Sequence, residues 1–89
     1  MMRAIKPNHV LFQEIGAESA LLDLNNEHYF SLNDVGTRMW AVLVSATSIH
    51  EAQQTLQCEY EVETAQIQHD LHELIQQLVE HDLLQLVEA

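Results

Sequence analysis

The sequence predicts an α+β fold: a three-stranded antiparallel sheet followed by three helices. Two observations carry that expectation. Residues 10–32 fall into short apolar runs of strand length, separated by Gly16-Ala17 and Asn25-Asn26. Residues 34–80 fall instead into segments whose apolar positions recur at helical spacing, each opened by a side chain suited to capping. With two Gly and one Pro in 89 residues, little chain is left for long loops.

Val10–Ile15 (VLFQEI) is the first predicted strand, and Gly16-Ala17 turns the chain after it. Ala20–Leu24 is the second, with Ala20, Leu22 and Leu24 on one face and Leu21 and Asp23 on the other. Asn25-Asn26 follows, and Asn tolerates the left-handed backbone that tight hairpins demand. His28–Leu32 (HYFSL) is the third strand. Alternation sets Tyr29 opposite Phe30 and away from the helices, where an aromatic ring is idle unless a partner covers it. Phe30 and Trp40 are assigned to the core.

Asn33 caps the first predicted helix, Asp34 suits its first turn, and Val35, Met39, Val42 and Leu43 form its apolar stripe with Trp40 beside them. Ser48 and Glu51 have capping-box spacing for the second, which turns Ala52, Leu56 and Ile49 inward. Thr64 is assigned as the cap of a long third helix ending near Glu80. Its seam is Ile67, Leu71, Leu74 and Leu78. Ile75 and Val79 widen the apolar arc to one side, a shoulder that also holds Gln68 and His72. That shoulder either completes the core or stays open as one wall of a peptide groove.

Residues 1–89 suffice for one domain, burying roughly 60–65% of the unfolded surface, and a 47% apolar fraction argues for a packed core. Fourteen acidic residues face only Arg3, Lys6 and Arg38, and nothing basic follows Arg38. A chain so charged repels nucleic acid and lacks a polybasic route to anionic membrane. No apolar run is long enough to span a bilayer, and MMRAIKPNHV has no apolar stretch of signal-peptide length. A single cysteine, Cys58, excludes an internal disulfide and points to a reducing, cytoplasmic setting.

No catalytic constellation emerges. Glu59 and Glu61 raise rather than lower a neighbouring thiol's pKa, so Cys58 reads as a half-buried structural residue. His69 and His72 lie near Asp70 and Glu73, but no HExxH or Cys-x-x-Cys motif accompanies them, so neither metal nor cofactor is expected. The carboxylates lack a glycine-rich cradle.

Leu21-Leu22-Asp23-Leu24, a turn, His28-Tyr29-Phe30-Ser31-Leu32-Asn33, then Val35-Gly36-Thr37-Arg38-Met39-Trp40 resembles the PqqD-like family. The tail, Tyr60-Glu61-Val62 with Asp70-Leu71, Leu74, Leu78 and Leu83, extends the likeness over about residues 10–87. The sequence departs at His81-Asp82, where the family often has a Gly before its final Leu. The resemblance implies a winged-helix-like domain that is not an enzyme and binds the leader of a ribosomally made precursor peptide. In that family the leader adds as an antiparallel strand beside the third strand and lies against the third helix, a β-augmentation. Carried onto this chain, His28, Tyr29, Phe30, Ser31 and Leu32 supply mostly backbone, and Gln68, Leu71, His72, Ile75 and Val79 supply a wall. The implied partner is a modifying enzyme, first a radical-SAM protein and second a lasso-type leader peptidase. The competing readings are an acidic winged-helix interaction module such as an antirepressor, and a small metalloenzyme subunit.

Overall fold

A computed structural model describes residues 1–89. The chain runs β1 (Met2–Ile5), β2 (Val10–Ile15), β3 (Glu18–Asp23), β4 (His28–Leu32), α1 (Asp34–Ser45), α2 (Ile49–Glu59), α3 (Thr64–Glu80) and β5 (Gln85–Glu88). Strands β2, β3 and β4 form the expected antiparallel meander in that order.

Ile15 pairs with Glu18 across a two-residue turn, and Gly16 sits at φ 66°, a left-handed conformation that only glycine adopts without penalty. The second strand begins two residues earlier than expected and turns the face of Leu21 and Asp23 inward: Ser19, Leu21 and Asp23 are buried, while Leu24 is exposed. Leu21 lies opposite both Phe12 and Phe30 across the sheet, so cross-strand packing outweighs the apolar count on the Ala20 face. Ser19 is kept inward by a 2.7 Å hydrogen bond between its hydroxyl and that of Thr37. The β3–β4 turn is built differently from the expectation. Asp23 accepts from the backbone N–H groups of Asn25 and Asn26 and from the Asn26 side chain, and Glu27, not an asparagine, takes φ 58°.

Asn33 caps α1 as expected, its Oδ1 accepting from the Gly36 N–H at 2.8 Å. Met39, Trp40, Val42 and Leu43 are buried, but Val35, expected in the inward stripe, stays 40% exposed. Trp40 stacks on Phe12 at 6.0 Å and joins sheet to helices. Truncating a tryptophan buried this fully costs about 3–5 kcal/mol. Ser48 accepts from the Glu51 N–H to open α2, while the Glu51 carboxylate reaches back to Thr47 rather than to Ser48. The start of α3 differs from expectation: Glu63 occupies the cap position without a side-chain bond, and Thr64 is the first helical residue. Its end explains the departure at His81-Asp82. Asp82 adopts φ 59°, and Leu83 N–H bonds the Leu78 carbonyl at 2.8 Å, a Schellman ending that ordinarily favours glycine at this position.

One element was not anticipated. Strands β1 and β5 pair antiparallel, Met2 opposite Glu88 and Ile5 opposite Gln85, to make a separate two-stranded sheet. Ala4 is buried and β1 lies against α1 and α2. No helix is long and apolar enough to cross a membrane.

Candidate functional site

Strand β4 is an edge, and its register states which backbone groups are free. Leu24 N–H bonds the His9 carbonyl on the β2 side, and antiparallel bonding alternates along a strand, so Leu22 and Ala20 also bond toward β2. Asp23, Leu21 and Ser19 therefore bond toward β4, through His28, Phe30 and Leu32. The N–H and C=O groups of Tyr29 and Ser31 then point away from the sheet, and no turn, cap or side-chain bond uses them. Two residues at this spacing are what an added strand engages.

Two separate hollows lie toward the two ends of this edge. At one end His28, Tyr29 and Phe30 face His81 and Leu83, with the Phe30 and His81 rings 5.6 Å apart. At the other, where Leu32 leads into α1, a cavity of about 760 Å³ opens between the start of α1, the α2–α3 connection and the first turns of α3. Val35, Met39, Val62 and Ile67 give it apolar walls, and Val35 and Val62 are 40% and 49% exposed. Glu61, Glu63 and Asp70 also line it. The third helix thus runs from the cavity to His81, opposite in direction to β4.

This geometry divides the residues picked out from the sequence. His28, Tyr29, Phe30, Ser31 and Leu32 lie together on the edge: Tyr29 is 72% exposed, Phe30 half-buried and Leu32 buried. Gln68, Leu71, His72 and Ile75 lie elsewhere, lining a different pocket with Ile49 and Gln53 of α2. Ile75 and Leu71 are 6% and 2% exposed and belong to the core, and Val79 is exposed along the same side of the helix. The opposite flank, with Gln66, Asp70 and the half-buried Leu74, faces the cavity side; in the sequence reading Leu74 was a core-seam residue. An exposed valine at the start of α1 is the signal that could have found this flank.

The charged groups are mostly committed to structure. Arg38 makes a two-pronged ion pair with Glu59 that joins α1 to α2, raising the guanidinium's pKa and holding the Glu59 carboxyl below its ordinary value. The hydrogen bond from the Asn26 side chain, aided by the backbone N–H groups of Asn26 and Asn25, holds the Asp23 carboxyl below its ordinary value against the opposing effect of desolvation. His69 pairs with Glu73 at 3.3 Å, and no three His, Cys, Asp or Glu side chains converge as a metal would need. Cys58, expected to be half-buried, is exposed.

The model of the family described as Coenzyme PQQ synthesis protein D (PqqD) matches residues 18–84. No curated protein matches the chain. Among solved structures, TbiB1 in complex with the TbiA(beta) leader peptide is 28% identical, covers 91% of this chain and 94% of its own, and superposes with a TM-score of 0.84. A lasso peptide synthetase B1 complexed with the leader peptide shares the fold at 24% identity and a TM-score of 0.83, over 93% of this chain and 98% of its own. The chain belongs to the PqqD family.

Proposed function

We propose that, as a member of that family, the chain binds the leader of a ribosomally made precursor peptide and presents it to a separate modifying enzyme. The observation that carries this reading is the pair of unbonded backbone units at Tyr29 and Ser31 on an open edge, with partly apolar hollows toward either end of it. An extended leader adds there as a fourth strand, antiparallel to β4, its main chain supplying affinity and its groove-facing side chains supplying selectivity. The likeness to TbiB1, solved with a leader peptide, supports the same reading.

In this reading the site comprises the His28–Leu32 edge, Phe30 and His81 at one end, Leu74 along the helix, and Val35, Met39 and Ile67 in the cavity. Gln68, Leu71, His72, Ile75 and Val79 stabilise or flank the α2–α3 packing instead. The chain itself catalyses nothing, and the chemistry belongs to a radical-SAM protein or to the leader peptidase of a lasso-type pathway. A lone, unpaired Cys58 accords with a reducing cytoplasm.

The test is turnover of a full-length precursor by its modifying enzyme. Three conditions are compared: no added protein, the parent chain and Ser31→Pro. Proline removes an N–H that faces outward, which an edge strand tolerates, so the variant folds while augmentation is blocked. Turnover is expected to need the parent and to fall to the unassisted rate with Ser31→Pro. Equal turnover with and without the parent protein would sink the proposal.

A further inference from the structure

Resting on the leader-binding reading, we infer that the cavity at the start of α1 selects leaders carrying a lysine or arginine a few residues before their apolar anchors. The direction follows from the register. A strand antiparallel to β4 enters at the Leu32 end, beside the cavity, and leaves past His28 and His81. Residues opposite Tyr29 and Ser31 share the outer face with those side chains, whereas residues opposite Leu32 and Phe30 turn inward. The leader's first inward anchor therefore meets Val35, Met39 and Ile67, its second meets Phe30 and His81, and whatever precedes the first anchor lies over the α2–α3 connection.

That approach is uniformly acidic. Glu61, Glu63 and Asp70 line it alongside the apolar walls. No Lys or Arg on α2 or α3 offsets them, since none follows Arg38 and Arg38 is engaged by Glu59. The carboxylates of Glu61 and Glu63 make no hydrogen bond or ion pair within the chain, and that of Asp70 is held only by Gln66 Nε2, at 3.0 and 3.1 Å. The hollow at the His28 end is lined by His28 and His81 and by a single carboxylate, that of Asp23, which the asparagine turn already engages. The asymmetry gives the bound segment a polarity: a cation upstream, apolar side chains at alternate positions downstream. A second copy of this chain is a poor occupant, because its own cations are Arg3, Lys6 and the engaged Arg38.

The experiment uses a displayed library of random 16-residue peptides selected on the immobilised full chain, on Ser31→Pro and on a triple variant, Glu61→Gln, Glu63→Gln and Asp70→Asn. Thermal melting verifies that each variant is folded. Peptides enriched on the parent are expected to show apolar residues at i and i+2 with Lys or Arg upstream, and the basic preference is expected to vanish on the triple variant. One enriched peptide, resynthesised with its upstream Lys changed to Gln, should bind the parent about fivefold more weakly at 50 mM salt and nearly equally at 500 mM. Apolar pairs without an upstream basic bias, or a bias that survives the triple variant, would overturn this inference and leave the leader-binding reading intact. Failure to enrich alternating apolar peptides, or equal enrichment on Ser31→Pro, would overturn the strand-addition reading and this inference with it. Self-association of the chain that the triple variant abolishes would assign the cavity to a second copy and also overturn the inference.

Discussion

The two flanks of α3 differ in apolar content, with Leu71, Ile75 and Val79 on one and Gln66, Asp70 and Leu74 on the other, and they have opposite fates. On the α2 side Leu71 and Ile75 are closed over by Ile49 and its neighbours, and what remains is a shallow polar-rimmed pocket. On the other flank Leu74 is only half-buried, Ile67 lines a cavity shared with α1 and the α2–α3 connection, and Val35 and Val62 stand partly in solvent. The more apolar flank is therefore the better covered one. A cavity is left where the fold runs out of its own residues to cover a flank, and the count of apolar residues on the helix does not locate it.

The largest expected effect that tests this contrast is on stability. Ile75→Glu buries an unpaired charge among core residues and is expected to lower stability by several kcal/mol or prevent folding, whereas Val79→Glu, one turn along and exposed, should stay within about 0.5 kcal/mol of the parent. Denaturant titration reads both. A folded, stable Ile75→Glu would mean that the α2 flank is open after all. The next effect is on binding. Val35→Glu sets a carboxylate in the cavity at a partly exposed position in the first turn of α1, where the helix dipole favours it. It should melt with the parent yet bind leader about tenfold more weakly by fluorescence polarisation. Unchanged binding would remove the cavity from the site.

The smallest effect concerns the turn that presents β4. The folded Asp23 carboxyl titrates below its unfolded value, so its contribution is present above about pH 4 and is lost as pH falls through the lowered folded value. Melting temperature should therefore fall more steeply below pH 4 for the parent than for Asp23→Asn. Parallel acid profiles would show that the Asp23 carboxylate does not set the turn.

Much of this architecture was legible because local signals and tertiary packing agree. The alternation in residues 10–32, the caps at Asn33 and Ser48 and the seam of α3 all act within a few residues. The β1–β5 sheet was not legible, because each strand is four residues long and its partner lies at the other end of the chain. The turn at Glu27 was misplaced for a different reason: Asp23, lying before the asparagines, organises the loop through its carboxylate. In the candidate site the exposed edge at residues 28–32 was legible from alternation, whereas the burial of Leu71 and Ile75 against α2 was not. Periodicity says which residues share a helical face, but the element that packs on that face is decided by the crossing of α2 over α3, which has no signature in the α3 sequence.

The pairing of β1 with β5 has a consequence for how this molecule can be wired into a larger one. Met2 stands opposite Glu88, and the Ala89 N–H donates to the Met1 carbonyl at 2.8 Å, so both ends of the chain leave from one spot about a strand spacing apart. A few linker residues would close the backbone into a ring, and the same geometry lets the whole unit be spliced into a surface loop of a host protein at little loop-closure cost. The Tyr29–Ser31 edge belongs to the other sheet, so such a graft leaves it facing outward, like a socket on a short lead.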